Sequence, residues 1–578
     1  MDVTWSMVMG LRASIRSLME LLRDGLNHCN PIIEYIEYIL LISLLIPIGT
    51  FLVTTYSFHI ASRLGGRRFR GLEPPTLPYW IPFIGSGLSI ATNPHKFYED
   101  VMRKTPGGGI IKARVASLHM YVVTGPENVQ TLFRNSKDLT FEFMQLRVAQ
   151  LVKGLPASDA NMLRADDSGT LAVPMSPVPA DRRIWRQLHA IYGENLAHGS
   201  AVNSLTERFI NEFRLQLGKE SAGQWKTTQI YALLQDKMFT ASTLTLVGPR
   251  ILDSNVGFAK TFWKYDAGFM RLLLGTPRFA CREAWDARDQ CLEATKRWLG
   301  DGWANTDWSS IALEDPDWEP NFGHRLVRAR EKCLESYGIS LDGRASLQIG
   351  LIWAINANAI PMAAYMLIEM IHEPSLLRRI RDEVATVVGV HQGSSQNLDV
   401  AELCALPLLD SVYKECLRLR ASIPLTRRLH KDIEIDGYTL RAGNFILAPS
   451  WLSHQDEDVW SVPGHPACEF WAERFMSSQK GAAFKAGNFF PYGGGNIICP
   501  GRFFAKQEIL AAVAMVVASF DMEFVENVQL DGKPSERGPG VDNCDSRGII
   551  SLDRDVVVRM RRLQPEEEVM GVKLQDMK

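Results

Sequence analysis

The sequence has no excess of charge of either sign, since 63 lysines and arginines stand against 65 aspartates and glutamates in 578 residues. A protein that binds nucleic acid through phosphates usually carries a basic excess, so nucleic acid is not an expected partner. Internal repeats and low-complexity tracts are also missing, which excludes a repeat array. The nine cysteines are scattered without the close pairs of a zinc site, and this pattern indicates a reducing compartment.

One apolar run is present, and it lies near the N-terminus. Residues 38–60 contain no formally charged side chain, and about 20 such residues cross a bilayer as a helix. The run lies too deep in the chain for a typical signal peptide, so we predict a retained single transmembrane helix, with a buried helix as the alternative. The arginines that follow place the C-terminal side in the cytosol; they are Arg63, Arg67, Arg68 and Arg70.

The remaining sequence divides into four further predicted segments. Residues 1–37 form a non-cytosolic segment, in which 4–22 are predicted to lie on the membrane or to pack in a core. A basic and proline-rich hinge at 61–85 leads into a single large domain of residues 86–565. Residues 566–578 form a C-terminal tail.

The large domain is predicted to be mainly helical, with short strands near 110–125, 432–448 and 545–562. Two segments, 153–180 and 297–324, are predicted to be loops. The second loop carries four tryptophans, which favours either local packing or contact with lipid or a partner.

The most informative stretch is residues 489–508, which presents Cys499 as a metal ligand. Three consecutive glycines, 493–495, allow the backbone to approach a flat cofactor closely. Pro500 suits the first turn of a helix, so Cys499 is predicted at the positive end of that helix, beside the cation Arg502. Both effects lower the pKa of a thiol and favour a thiolate, which is one of the ligands that hold haem iron.

This stretch resembles the haem-binding loop of the cytochrome P450 enzymes, in which an aromatic residue, glycines and a small residue surround the cysteine. The residues that fit are Tyr492, Gly495, Cys499, Gly501 and Ala505. The resemblance implies that Cys499 ligates the iron of haem b and that the other four residues border the cofactor. Ile497 lies where most members carry Arg or His for a haem propionate, which is similar to the branch of sterol hydroxylases and prostacyclin synthase.

Two signals upstream occur in the order of the same family. Glu415 and Arg418 are spaced by three residues, so both side chains lie on one face of a predicted helix and can pair. Residues 470–475 resemble the family segment Phe-x-Pro-x-Arg-Phe, with Ala472 in place of the proline. The resemblance implies that Arg474 completes a buried triad with Glu415 and Arg418, whose role is structural.

Propionate partners are predicted from two further segments. The strand that begins at Pro424 resembles the small sheet beside the haem, and the register from Asp432 favours Arg427 over Arg428 as the propionate ligand. Residues 185–189 resemble the family helix Trp-x-x-x-Arg, with histidine in the basic position. The resemblance therefore implies that Trp185 and His189 bind a propionate, and an ordinary amphipathic helix is the alternative.

Residues 346–371 are predicted to form a long apolar helix, kinked because Pro361 cannot donate a hydrogen bond to Ala357. By resemblance, this helix crosses the haem and usually carries an acid followed by Thr or Ser, which relay protons. Here the catalytic pair is Asn358 and Ala359, which offer neither an acid nor a hydroxyl. Ordered water or a polar group of the substrate is then the expected proton source, and a packing role for Asn358 is the alternative.

The resemblance implies a fold that is mainly α with small β-sheets, carried on a single N-terminal transmembrane helix. It implies a monooxygenase of the endoplasmic reticulum membrane, with the catalytic domain in the cytosol. The expected substrate is lipophilic, with a terpenoid, meroterpenoid or steroid-like skeleton, in a biosynthetic pathway. The sequence holds no flavin or nicotinamide motif, so NADPH-cytochrome P450 reductase is the expected electron donor, with cytochrome b5 as a second partner. Arg502 and Lys506 are candidate docking charges.

Two other functions remain compatible with these residues. The missing acid and hydroxyl at Asn358 and Ala359 also fit an isomerase or dehydratase that rearranges a peroxide without a reductase. A non-enzymatic haem carrier or sensor fits Cys499 ligation but gives the distal helix no purpose.

Overall fold

The computed structural model describes residues 31–64, 71–105, 108–197, 199–220, 223–388, 399–476, 487–540 and 547–563. The chain is mainly α-helical with small β-sheets, which confirms the predicted fold class. The predicted segment at 4–22, the tail 566–578 and the three arginines Arg67, Arg68 and Arg70 lie outside the described residues.

The first helix, α1, spans Pro31–Leu64 and is longer at both ends than the predicted anchor. Its stretch Tyr38–Arg63 is apolar enough to cross a membrane, and none of its most apolar 18-residue window is buried inside the protein. A helix with this composition, whose most apolar window is exposed, has the features of a bilayer span. The alternative of a buried core helix therefore does not describe α1.

The proline-rich segment after α1, part of the predicted stiff hinge, packs on the protein. Leu77 donates its backbone N–H to Lys112 at 2.7 Å, so the segment pairs with the first strand of the domain. Trp80 stacks on Phe51 of α1 with ring centroids 4.0 Å apart. Proline residues stiffen a segment but do not determine whether the segment packs on the rest of the protein. Packing here depends on contacts with residues that are distant in the sequence.

The large domain consists mostly of helices packed around one core. They are α2 (Gly87–Thr92), α3 (Pro94–Lys104), α4 (Pro126–Arg134), α5 (Glu142–Leu151), α6 (Ala157–Ala165), α7 (Ile184–Leu196), α8 (Gly199–Gly218), α9 (Ile230–Val247), α10 (Arg250–Asp253), α11 (Phe258–Ala267), α12 (Phe269–Leu273), α13 (Arg282–Asn305), α14 (Trp308–Glu314), α15 (Arg325–Ser336), α16 (Leu341–His372), α17 (Pro374–Val388), α18 (Val400–Ala405), α19 (Pro407–Arg420), α20 (Ser450–His454), α21 (Glu457–Trp460) and α22 (Arg502–Ser519).

The strands are short, and most lie at the edges of the helical core. They are β1 (Ile110–Val115), β2 (Leu118–Val123), β3 (Leu139–Thr140), β4 (Lys226–Gln229), β5 (Trp318–Glu319), β6 (Gly323–His324), β7 (Ala421–Ser422), β8 (Pro424–Leu429), β9 (Ile433–Ile435), β10 (Tyr438–Leu440), β11 (Phe445–Pro449), β12 (Phe520–Gln529), β13 (Pro534–Ser535), β14 (Gly548–Ile549) and β15 (Arg554–Arg562).

Two sheets have more than two strands. The five-stranded sheet has the order β1-β2-β11-β8-β3, and the four-stranded sheet has the order β13-β12-β15-β4. Strands β7 and β14 form a separate antiparallel pair, with Gly548 opposite Ser422 and Ile549 opposite Ala421. The three predicted strand regions are therefore confirmed, whereas β12 was not predicted.

Helix α16 is the long apolar helix of the prediction, and it begins five residues earlier than expected. It packs against α9, α13 and α22 and is buried along most of its length. The helix continues through Pro361 without interruption. The proline removes one donor but does not end the helix, because the surrounding core packs both halves.

The two predicted loops contain helices, which corrects the prediction. Segment 153–180 includes α6, and segment 297–324 includes the end of α13 and all of α14. The tryptophans of the second segment pack locally. Trp298 is fully buried and donates to the carbonyl of Asn321 at 2.7 Å, while the rings of Trp303 and Trp308 lie 4.3 Å apart. These three tryptophans therefore fill the core or its margin.

A buried charge network connects α19 to the chain that leads toward Cys499. The carboxylate of Glu415 accepts two hydrogen bonds from Arg418, both at 2.8 Å, and one from Arg474 at 2.9 Å. The backbone N–H of Trp471 donates to the same carboxylate at 3.1 Å. All three charged side chains are buried, so each depends on the others for compensation.

We expect Glu415→Ala to lower the free energy of unfolding by about 3–5 kcal/mol, because two buried guanidinium groups lose their only shared carboxylate. Urea denaturation followed by tryptophan fluorescence measures this change. Glu473→Ala is the matched control, since Glu473 forms a partly exposed surface pair with Arg379 at 2.6 Å and its removal should cost below about 1 kcal/mol. Equal effects of the two substitutions would contradict this account of the network.

Glu508 is a second buried carboxyl group, on the second turn of α22. The hydroxyl of Ser242 in α9 donates to it, and among the described residues no cation pairs with it. Burial therefore raises the pKa of Glu508 from 4.5 to about 8. The folded protein holds this group protonated at neutral pH.

The raised pKa of Glu508 predicts a pH-dependent stability. Between pH 4.5 and about 8 the unfolded chain loses this proton while the folded chain keeps it. The free energy of unfolding of the native sequence should then fall by about 1.4 kcal/mol per pH unit relative to Glu508→Gln, whose side chain does not titrate. Urea denaturation at several pH values tests this, with the exposed Glu523→Gln as a control. A pH-independent difference between the native protein and Glu508→Gln would contradict the assignment.

Candidate functional site

Cys499 lies in the short connection between the 3₁₀ turn Gly495–Ile497 and helix α22. Its backbone N–H donates to the carbonyl of Tyr492 at 3.0 Å, which closes the loop. The backbone N–H groups of Gly501 and Arg502 donate toward the sulfur of Cys499. Helix α22 begins at Arg502, so Pro500 precedes the helix and does not occupy its first turn as predicted.

The pKa of the Cys499 thiol is raised above its usual value, which corrects the prediction of a lowered pKa. Burial is the largest cause, and it outweighs the two N–H donors and the nearby Arg502 guanidinium that act in the opposite direction. Burial in the folded protein could not be read from the sequence. Coordination to a metal ion deprotonates a thiol outright, so a raised pKa does not oppose ligation.

Two of the glycines before Cys499, Gly494 and Gly495, are also required by close contacts within the protein. A Cβ atom on Gly494 would lie 2.3 Å from the ring of Phe133 in α4. Gly495 has a φ of +69°, and a Cβ atom there would lie 2.7 Å from Ser136. The loop therefore packs directly against the segment 133–136.

The other predicted neighbours of the cofactor surround an open region. The hydroxyl of Tyr492 is hydrogen-bonded to the hydroxyl of Tyr413, so its ring is held beside the Cys499 loop. A Cβ atom on Gly501 would meet no atom within 4 Å. Ala505, on the first turn of α22, keeps part of its surface accessible although the following turns are buried.

Arg427 is a buried cation that reaches this loop from the neighbouring sheet. It is buried in β8, its guanidinium donates to the carbonyl of Thr426 at 2.9 Å, and it reaches the carbonyl of Ile497 at 3.5 Å. In the described part of the chain no carboxylate lies within 4 Å of it, and burial lowers its pKa to about 10. The adjacent Arg428 is exposed, as expected from strand alternation. The charge of Glu142 acts on Arg427 without a direct contact, so the buried guanidinium can still bind an acidic group of a cofactor.

Trp185 and His189 lie on α7, as the resemblance implies, but they differ in their surroundings. The indole N–H of Trp185 donates to the carbonyl of Leu163 at 3.1 Å, so a contact with a propionate would require this bond to break. His189 is half-buried and has no hydrogen bond to another described residue. Burial and the neighbouring Arg186 lower the pKa of His189.

Asn358 and Ala359 lie at the middle of α16. The side-chain oxygen of Asn358 accepts the backbone N–H of Ile549 at 3.0 Å, which joins α16 to strand β14. Ala359 is buried in the core. The one exposed residue between Gly343 and Ile371 is Ala354, one turn before Asn358. An exposed side chain in the middle of a buried helix shows that open space, the candidate cavity, lies beside this face of α16.

The distal side of this cavity carries an ion pair that the sequence did not reveal. Asp266, at the end of α11, accepts two hydrogen bonds from Arg547 at 2.9 and 3.1 Å and one from the indole of Trp353 at 2.8 Å. The ring of Phe269 stacks on Trp353 with centroids 4.6 Å apart. Asp266 and Arg547 are separated by 281 residues, so no local pattern connects them.

Comparison with known proteins points to the family that the Cys499 loop resembles. The cytochrome P450 family model matches residues 358–541, which include Asn358 and the Cys499 loop. The cytochrome P450 monooxygenase calL of Penicillium decumbens is 32% identical over 506 residues, covering 85% of this chain and 93% of the relative. This chain belongs to the cytochrome P450 family.

Two further P450 relatives cover similar lengths. The cytochrome P450 monooxygenase efuG of Hormonema carpetanum is 29% identical, over 84% of this chain and 91% of the relative. Cholesterol 7-alpha-monooxygenase of Cricetulus griseus is 25% identical, over 80% of this chain and 89% of the relative. The relatives are monooxygenases, so this P450 is an oxidoreductase of the monooxygenase type.

A P450 uses a haem-thiolate cofactor, and the residues present fit one. Two backbone N–H groups donate toward the sulfur of Cys499, no carboxylate among the described residues contacts the buried Arg427, and the face of Ala354 borders open space. The two candidate docking cations have partners within the protein. Lys506 pairs with Asp410 at 2.7 Å, and Arg502 donates to the carbonyl of Cys499 at 3.0 Å.

We expect Arg427→Met to accelerate haem loss by about 10- to 100-fold, since it removes a charge-assisted hydrogen bond to a buried acidic group of the cofactor. The rate of haem transfer to excess apomyoglobin measures this effect. Arg428→Met is the matched control, because Arg428 is the next residue of the same strand and is exposed. Equal rates for the two variants would exclude Arg427 as a propionate ligand.

Proposed function

We propose that this P450 binds haem b through the thiolate of Cys499 and oxidises a lipophilic substrate in the cavity beside Ala354. The observation that carries the proposal is the Cys499 loop itself, in which the N–H groups of Gly501 and Arg502 converge on one sulfur. Such donors stabilise a thiolate by charge-assisted hydrogen bonds. Tyr492, Gly495, Gly501 and Ala505 would border the cofactor on this side.

The remaining haem contacts would come from β8 and α7. Arg427 would hold one propionate through its guanidinium. It would thereby provide the contact that most family members make with a basic residue at the position of Ile497. His189 is the proposed second partner, and Trp185 would join it only if its bond to Leu163 opens. When bound, a thiolate-ligated haem supplies oxygen activation, while the protein orients the substrate and excludes bulk water.

The distal residues are proposed to position groups rather than to donate protons. The side-chain oxygen of Asn358 is committed to Ile549, so only its amide N–H groups are free to orient a water molecule or a substrate oxygen. Ala359 offers no hydroxyl, and its burial leaves no room for one to be inserted without a shift. Ordered water or a polar group of the substrate would then supply the proton.

The substrate class is proposed from the anchor, the apolar distal helix and the relatives. A membrane helix gives access to molecules dissolved in the bilayer, and one relative is named for cholesterol. A terpenoid, meroterpenoid or steroid-like skeleton in a biosynthetic pathway is therefore the proposed substrate. Electrons would come from NADPH-cytochrome P450 reductase, with cytochrome b5 as a second partner, because this chain has no flavin or nicotinamide motif. The catalytic domain would face the cytosol at the endoplasmic reticulum.

The test is the difference spectrum of the reduced, CO-bound protein, compared with that of Cys499→Ala. We expect the red-shifted band of a thiolate-ligated haem in the native protein and its loss in Cys499→Ala. Cys468→Ala is the control, since Cys468 is exposed and should leave the band unchanged. Oxidation of a lipophilic substrate should then require both the reductase and NADPH.

Two results would overturn this proposal. A native protein without the red-shifted band would exclude the haem-thiolate assignment. A normal band with reductase-independent conversion of a peroxide would identify an isomerase or dehydratase instead.

A further inference from the structure

Lys153 has an unusual position for a lysine, because its side chain lies across the distal helix. It follows the end of α5, and its stem covers Gly350 of α16. A Cβ atom on Gly350 would lie 2.4 Å from Nζ and 2.8 Å from Cδ of Lys153. The lysine can occupy this position only because residue 350 has no side chain.

Within the described part of the chain, the ammonium group of Lys153 has no compensating partner. Among the described residues it has no hydrogen bond, and no carboxylate lies within 4 Å of it. The charged group that acts on it is another cation, Arg330, and enclosure together with this repulsion lowers the pKa of Lys153 to about 8. Buried charges in proteins are usually paired, so an uncompensated one requires an explanation.

Arg330 cannot compensate the charge of Lys153, because it is also a cation. No carboxylate among the described residues contacts Arg330 either. Its guanidinium is buried and bonded to the hydroxyl of Tyr192, to the side-chain oxygen of Gln348 at 3.4 Å and to the carbonyl of Leu347 at 3.2 Å. These acceptors are neutral. The region beside α16 therefore carries two positive charges and no described carboxylate that contacts either of them.

Lys153 lies at the edge of the cavity in which the substrate is proposed to bind. Gly350, Ala354 and Asn358 are spaced by four residues and therefore share one face of α16. Four residues advance a helix by about 6 Å, so the ammonium group lies roughly one turn from the exposed Ala354. Lys153 keeps part of its surface accessible although protein surrounds it, as expected of a side chain that lines an internal cavity.

We propose that Lys153 binds a carboxylate of the substrate and that the physiological substrate is a lipophilic carboxylic acid. This inference rests on the proposed function, since it places the acid in the distal cavity of the same enzyme. The carboxylate would neutralise the ammonium group at one end, while the apolar skeleton would lie along Ala354 toward the haem. Lys153 would thereby fix which carbon faces the reacting centre.

The test compares acids with their methyl esters, which share a skeleton and differ in charge. The probes are lauric acid with methyl laurate, and cholanic acid with methyl cholanate. For the native protein we expect at least one acid to bind about 10- to 100-fold more tightly than its ester, as a charge-assisted hydrogen bond requires. Both the haem absorption shift and isothermal titration calorimetry measure the dissociation constant.

Lys153→Met should abolish this preference by weakening the acid and leaving the ester within about twofold, because methionine keeps an unbranched apolar stem over Gly350. Gly350→Ala should reduce the preference while the charge remains, since the added methyl displaces Nζ. Lys533→Met is the control, because Lys533 is exposed and pairs with Asp531 on the surface. That variant should keep the native ratio.

Three outcomes would overturn the inference. The first is a native protein that binds neither acid more tightly than its ester. The second is an acid-to-ester ratio that Lys153→Met leaves unchanged, and the third is loss of folding or haem content in Lys153→Met, which would make the lysine a structural residue. Calorimetry does not depend on haem absorption, so an acid preference without a thiolate-haem band would refute the proposed function and leave the carboxylate site standing.

Discussion

The arrangement of this P450 depends on one buried carboxylate, that of Glu415. It neutralises Arg418 and Arg474, which come from two distant parts of the chain. Arg418 also donates to the carbonyl of His454 at 2.7 Å, and the Nε2 atom of His454 accepts the backbone N–H of Phe490 at 3.1 Å. The network thus reaches the residues that open the Cys499 loop. Buried charges are costly when they lose their partners, so the Cys499 loop keeps its position as long as this network is intact.

The two sides of the cavity are built by different means. The Cys499 side is held by hydrogen bonds of backbone groups and by close packing of Gly494 against Phe133. The distal side is held by side chains that cross between elements, namely Asn358 to β14 and Asp266 to Arg547. A rigid loop suits the side that holds a cofactor, because the cofactor does not change. Links between side chains suit the side that faces the substrate, because the substrate can vary. The lysine beside Gly350 belongs to the second group.

The sequence predicted the features that have a local period or a family motif. The family register from Asp432 favoured Arg427, which is buried, over the exposed Arg428, and the three-residue spacing of Glu415 and Arg418 predicted a pair on one helical face. Contacts between remote residues carried no such signal, which is why the Asp266–Arg547 pair and the contact of Lys153 with Gly350 were missed. The thiol pKa of Cys499 was predicted with the wrong sign, because its largest determinant is burial in the finished fold.

The central claim is that Cys499 supplies a sulfur ligand to haem iron, and X-ray absorption at the iron edge of the purified ferric protein tests it most directly. The account predicts one sulfur atom in the first coordination shell of the native protein, and a shell of nitrogen and oxygen only in Cys499→Ser. A native protein whose iron is coordinated by nitrogen and oxygen alone would contradict it.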